Sequence, residues 1–120
     1  GPVLPADLGL VQEFESTTAL LRDPDRVKVT VTGPHTLAKL AFDEHYGDLR
    51  RLMFDIAKVL RENLRALEAA GCRHVQLDEV TLSGLGVLSG EVDAAVDAIN
   101  LVFEGLSAFK WLHVCQGNYA

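Results

Sequence analysis

The chain has 120 residues, 48% of them hydrophobic and 23% charged, and its 11 Lys and Arg against 17 Asp and Glu give a net charge of −6. That supplies the core of one domain, and an acidic balance without a basic stripe argues against a nucleic-acid partner or an anionic membrane surface. No run reaches the ~18–20 apolar residues of a membrane span, and the start Gly1-Pro-Val-Leu-Pro5 lacks the basic residues of a secretory leader.

In chain order, Asp7 is placed to cap a first helix carrying Leu8, Val11, Phe14 and Leu21, before a turn at Asp23-Pro24-Asp25. Val27-Lys-Val-Thr-Val-Thr32 is dominated by β-branched residues and reads as a first strand, ended by Gly33-Pro34. From Asp48 to Ala70, Leu49, Leu52, Met53, Ile56, Leu60, Leu64 and Leu67 recur at three- and four-residue steps with charges opposite, the pattern of an amphipathic helix. Gly71 stops it as a C′ glycine does. His74-Val-Gln-Leu-Asp78 reads as a second strand, and Ser83 to Gly90 as a loop. Its Gly84-x-Gly86 makes no dinucleotide fingerprint, and no Walker sequence is present. A further helix runs from Glu91 to Leu106 on Val92, Ala95, Val96, Ile99, Phe103 and Leu106, with Ser89 as its expected cap, and Trp111 to Cys115 forms a third strand.

Strands that alternate with helices in this way must run parallel, joined by crossovers. Residues 1–120 therefore read as one segment of an α/β domain, three consecutive parallel strands with their helices, cut from something larger. Two sheet edges and an apolar face would stay open, to be covered by further chain or by self-association.

Sites in parallel α/β folds form at the carboxyl ends of the strands. Here those ends carry Thr32-Gly-Pro-His35, Asp78-Glu79 and His113-x-Cys115. An extended His-x-Cys puts an imidazole and a thiolate on one face, which is half a zinc site, although a core histidine beside a small buried thiol has the same spacing. Asp78 and Glu79 suit a substrate pocket, or equally a solvated loop capping the next element. Cys72 begins a strand whose far end carries Asp78, which places it away from the site. His45 and Tyr46 read as surface residues before the long helix. Two cysteines do not make a disulfide framework, and reduced thiols point to a cytoplasmic setting.

Three motifs in register give these candidates a common meaning: Val27-Lys-Val-Thr-Val-Thr-Gly-Pro-His-Thr-Leu37, Val75-Gln-Leu-Asp-Glu79 and Leu112-His-Val-Cys-Gln-Gly-Asn-Tyr119. They resemble the "TGP-x-T", "Q-x-DEP" and "H-x-C" segments of the cobalamin-independent methionine synthase superfamily of zinc-dependent thiol alkyltransferases, over roughly Val27 to Tyr119. The resemblance implies a partial (β/α)8 TIM barrel and a zinc cofactor held by His113 and Cys115, with two more ligands supplied downstream. It places Asp78, with Glu79 beside it, in the pocket of the thiol substrate, and implies methyl or alkyl transfer from a small-molecule donor to a thiol acceptor. Gln76, Gln116 or Asn118 would orient the ligands.

The sequence departs from that family at three points. Leu40 stands where the synthases carry a tryptophan that stacks on folate, Val80 replaces the proline after Asp-Glu, and Ser83-Gly84 replaces an acidic residue. The expectation is therefore a donor other than folate, as in the related epoxyalkane:coenzyme M transferases, in a segment inactive by itself. The competing expectation is a non-catalytic α/β module that oligomerises.

Overall fold

The computed structural model describes residues 1–83 and 87–115. Among them the elements follow as α1 (Leu10–Leu21), β1 (Lys28–Thr32), α2 (Pro34–Leu40), α3 (Leu49–Ala69), β2 (His74–Asp78), α4 (Ser89–Phe103) and β3 (Phe109–His113). The strands form one parallel sheet in the order β1-β2-β3. Lys28, His74 and Phe109 begin the strands side by side, and Thr32, Asp78 and His113 end them side by side. The result is an open sector of a (β/α)8 barrel with its helices on one face.

The core lies between that face and the helices. Val31 of β1 and Val75 and Leu77 of β2 are buried there with Leu52, Met53, Ala57, Leu60, Leu64 and Leu67 of α3. The α3 periodicity predicts this stripe closely. Its ends follow the local chemistry: the Asp48 carboxylate accepts from the Arg51 N–H at 3.2 Å, and Gly71, at φ 101°, closes the other end. The Gly71 N–H bonds the Glu68 carbonyl and the Cys72 N–H the Leu67 carbonyl, a Schellman pair.

Four expectations need correction. α1 starts at Leu10 with Gly9 at its cap, because the Asp7 carboxylate is occupied in a turn, accepting from the Gly9 N–H at 2.8 Å. Leu10 and Phe14 carry its contact with the core, while Leu8 and Leu21 are exposed. α2 follows directly on β1, since Pro34 both ends the strand and occupies the first turn of a helix, where a missing N–H costs nothing. α4 starts at Ser89, which is inside the helix rather than its cap, and ends at Phe103. It turns a different face inward: Ala94, Ala95, Ala98, Ile99 and Val102 are buried, whereas Val92 and Val96 are 37% and 48% exposed. Small alanines let α4 approach closely, so the packing surface follows size rather than hydrophobicity alone. Finally, β3 spans Phe109–His113 instead of Trp111 to Cys115, and all five of its residues are exposed.

Tyr46 is also more than a surface residue. Its hydroxyl donates to Asp55 Oδ2 at 2.9 Å and accepts from the Val3 N–H at 2.8 Å, holding the N-terminal segment against α3. Asn63 assists, accepting from the Leu8 N–H and donating to the Ala6 carbonyl.

Candidate metal and substrate site at the strand ends

Thr32, Asp78 and His113 occupy paired positions at the carboxyl ends of the three strands, on the face that the helices leave open. Strand alternation puts them there. With Val75 and Leu77 turned under the helices, Gln76 and Asp78 must face the other way, and their partners in register share that side. Contacts across the open face agree: Lys28 Nζ lies 2.5 Å from Gln76 Oε1 and 5.0 Å from the centre of the Trp111 ring. Gln76 Nε2 in turn donates to Asp78 Oδ1 at 2.7 Å. Gln76 thus orients the aspartate, whose second oxygen has no hydrogen-bond partner among the described residues.

His113 is the last residue of β3, and its carbonyl accepts from the Glu79 N–H at 2.8 Å, which extends the ladder one step beyond the strands. Cys115 lies in the turn that follows, partly buried and unoxidised. Among the described residues, neither the His113 ring nor the Cys115 thiol has a hydrogen-bond partner, so both donors remain available. A nitrogen and a sulfur donor two residues apart suit the chemistry of zinc and would supply two of the four ligands that a tetrahedral site uses. No group of three or more His, Cys, Asp or Glu that could hold a metal forms among the described residues. Gln116 and Asn118 lie outside the described residues.

Glu79 points elsewhere. Fully buried, its carboxylate accepts from the His35 N–H at 3.0 Å, the Thr36 N–H at 2.8 Å and the Thr36 hydroxyl at 2.7 Å, capping the start of α2 from beneath. A Cβ at Gly33 would lie 2.3 Å from Glu79 Oε1, so this approach requires a glycine for space rather than for its backbone angle. His35, also fully buried, bonds Thr81 Oγ1 at 2.7 Å and Glu91 Oε1 at 2.8 Å. Lys39 Nζ sits 2.9 Å from the same Glu91 oxygen, and this ammonium, followed by His35, holds the Glu91 carboxyl below its ordinary range. These partners are more than forty residues apart in sequence. No local pattern announces them.

Cys72 sits at the opposite end of β2, buried, with its thiol donating to the His74 carbonyl at 3.3 Å. Burial raises its pKa, and its place just before the start of β2 sets it at the end of the sheet away from Asp78 and His113. Leu40 ends α2 and is 74% exposed.

A sector of parallel barrel with its open polar groups at the strand ends is the architecture of a barrel enzyme. The family model described as the catalytic domain of cobalamin-independent synthase matches residues 6–115. Methionine synthase of Pyrococcus furiosus is 40% identical over 93 residues, 78% of this chain and 27% of that protein. Methionine synthase of Saccharolobus solfataricus is 33% identical over 111 residues, 92% of this chain and 32% of that protein. The solved B12-independent methionine synthase from Shewanella sp. W3-18-1, in complex with selenomethionine, superposes with a TM-score of 0.86 at 27% identity, over 98% of this chain and 33% of that one. The chain belongs to the cobalamin-independent methionine synthase family. It spans about a third of the length of these relatives.

Proposed function

We propose that this segment carries part of the active site of a zinc-dependent enzyme that transfers a methyl or alkyl group to a thiol. The observation that carries the reading is the pairing of Asp78 with His113 at one end of a parallel sheet, on its open face, in a chain of this family. His113 would be the neutral nitrogen ligand and Cys115 the thiolate ligand, with two further ligands from chain outside these residues. Zinc held by these residues would supply the Lewis acidity that lowers the pKa of an acceptor thiol toward neutral pH.

The chain's own residues do the rest. Asp78, oriented by Gln76 and one strand away from His113, has a free carboxylate oxygen for the amino group of an amino-acid thiol acceptor. Glu79 serves the pocket from below, by fixing the turn that links β1 to α2. Leu40 offers no flat ring for a pterin, so the donor is a small molecule other than folate. Stacking of that kind contributes roughly 0.5–1.5 kcal/mol, up to about tenfold in affinity.

Metal analysis of the full-length polypeptide tests the reading. Near-stoichiometric zinc in the wild type and its loss in Cys115→Ser are expected, and full zinc and activity in that variant would overturn the assignment. In the same preparation, turnover of methyl-folate and homocysteine at the rate of an authentic synthase would overturn the choice of donor. One observation favours a second reading, a module that self-associates: Phe109 and Trp111 are exposed together on the open face of β3, their ring centres 5.1 Å apart. Absence of zinc together with a stable dimer would support that module instead.

A further inference from the structure

The largest buried polar cluster of the described residues lies beside the strand ends rather than among them. At its centre is His35, with both ring nitrogens engaged on different elements: Nδ1 with Thr81 Oγ1 at 2.7 Å and Nε2 with Glu91 Oε1 of α4 at 2.8 Å. Thr36 adds two contacts to the same threonine, its hydroxyl lying 3.2 Å from Thr81 Oγ1 and 3.3 Å from the Thr81 N–H. Thr81 opens a single 3₁₀ turn, Thr81–Ser83, that follows β2. The first residue of that turn is therefore stapled to α2 and, through the imidazole, to α4. Its last residue reaches the opposite way, because the Ser83 hydroxyl donates to the backbone carbonyl of Cys115. One short turn separates a fully buried histidine from the backbone of Cys115.

Neither packing nor capping requires a histidine at this place. An aliphatic side chain would fill the volume, and Glu79 already satisfies the N–H groups at the start of α2. What a ring supplies is two hydrogen bonds in fixed directions, one to the turn and one to α4, and a buried ring nitrogen left unpaired is costly. We propose that His35 is a positioning residue: acting through Thr81 and Ser83, it fixes the backbone at Cys115 and thereby the direction in which the thiol is presented to the metal. The proposal rests on the reading of Cys115 as a zinc ligand. His35 itself touches neither metal nor substrate.

The two nitrogens can be separated by substitution, because the amide of Asn occupies the place of Nδ1 and that of Gln the place of Nε2. His35→Asn keeps the bond to Thr81, whereas His35→Gln keeps the bond to Glu91 and loosens the turn, leaving Thr81 held by the Thr36 hydroxyl alone. Zinc affinity of the full-length polypeptide, measured by chelator competition beside the thermal midpoint, reads the difference. His35→Gln is expected to bind zinc about threefold to tenfold more weakly, and His35→Asn within about twofold of wild type, although both lose one buried hydrogen bond and melt at similarly lowered temperatures. Ser83→Ala, a small change at a partly buried residue, should weaken zinc by a similar factor with little change in melting. The double variant His35→Gln, Ser83→Ala should be no weaker than the weaker single one, since both cut the same connection.

Equal weakening in the Asn and Gln variants would reduce His35 to a packing role and overturn the proposal. So would wild-type zinc affinity in Ser83→Ala, and that result decides even if the His35 variants do not fold. A wild type that binds no zinc fails at an earlier point: it removes the metal reading, and this proposal with it. Wild-type zinc with unaffected variants removes the positioning role alone.

Discussion

β2 and β3 are neighbours of equal length in one sheet, yet they live in different surroundings. β2 alternates, with Val75 and Leu77 fully buried and His74, Gln76 and Asp78 only partly covered, whereas all five residues of β3 are exposed. Both strands satisfy a parallel ladder. The contrast shows that backbone pairing by itself sets register and direction, and that burial is a separate matter decided by what packs on each face. β2 has two neighbouring strands and α3 and α4 over one face; β3 has one neighbouring strand, with Phe109 and Trp111 exposed on its open face and Leu112 exposed on the other.

Truncation across the two strands gives the largest expected effect. Leu77→Ala should lower unfolding free energy by about 2–5 kcal/mol, the range for a buried leucine whose cavity cannot collapse. The residue paired with it in register, Leu112, should cost less than about 0.5 kcal/mol when truncated in the 120-residue segment. In the full-length polypeptide the same change should cost roughly 2 kcal/mol or more, as further barrel chain covers β3. Denaturant titration of both forms reads the difference, and a negligible effect in both would break the barrel account of β3.

A smaller effect tests the join between β1 and α2. Gly33→Ala puts a methyl group into the space of the Glu79 carboxylate and should destabilise by about 1–3 kcal/mol, while the backbone angle at Gly33 is one that any residue adopts. Thermal melting measures it, and an unchanged midpoint would show that the carboxylate has another place to go.

The smallest effect is one of pH. Lys39, then His35, depress the pKa of Glu91 in the folded protein below its ordinary value of 4.5. A carboxyl depressed on folding contributes stability that is present above its unfolded pKa and is lost as the pH falls through the folded one. Wild type should therefore exceed Glu91→Gln in melting temperature at neutral pH, and the gap should narrow on acidification below about pH 4.5. A gap constant across that range would show that the charge on Glu91 contributes nothing.

The parts of this molecule that were legible in the sequence are those whose cause is local. The α3 stripe, its Asp48 cap and its Gly71 stop are all written within a few residues of where they act, and so is the β-branched run of β1. The end of β3 misled because an exposed strand carries no alternation, and the His-x-Cys spacing drew its boundary two residues too far. α2 was hidden by a signal with two meanings, since Gly33-Pro34 both ends a strand and starts a helix. In α4 the apolar period pointed to Val92 and Val96, while the alanines that face α3 give little hydrophobic signal. The candidate residues Asp78 and His113 could be placed at one end of the sheet from pattern alone, and they pair there. Glu79 and His35 could not be understood that way, because their partners come from distant chain and exist only once the fold has formed.

The fit of Gly33 against Glu79 also constrains how this sequence can drift. A side chain gained at Gly33 collides with the carboxylate, whereas a shortened Glu79 merely leaves α2 less well capped. The two positions are therefore free to change in one order and blocked in the other: position 79 must yield first. A lineage that loses the glycine should show a smaller residue at position 79, and one that keeps the glutamate should be confined to glycine at position 33 however far the rest of the sequence has wandered.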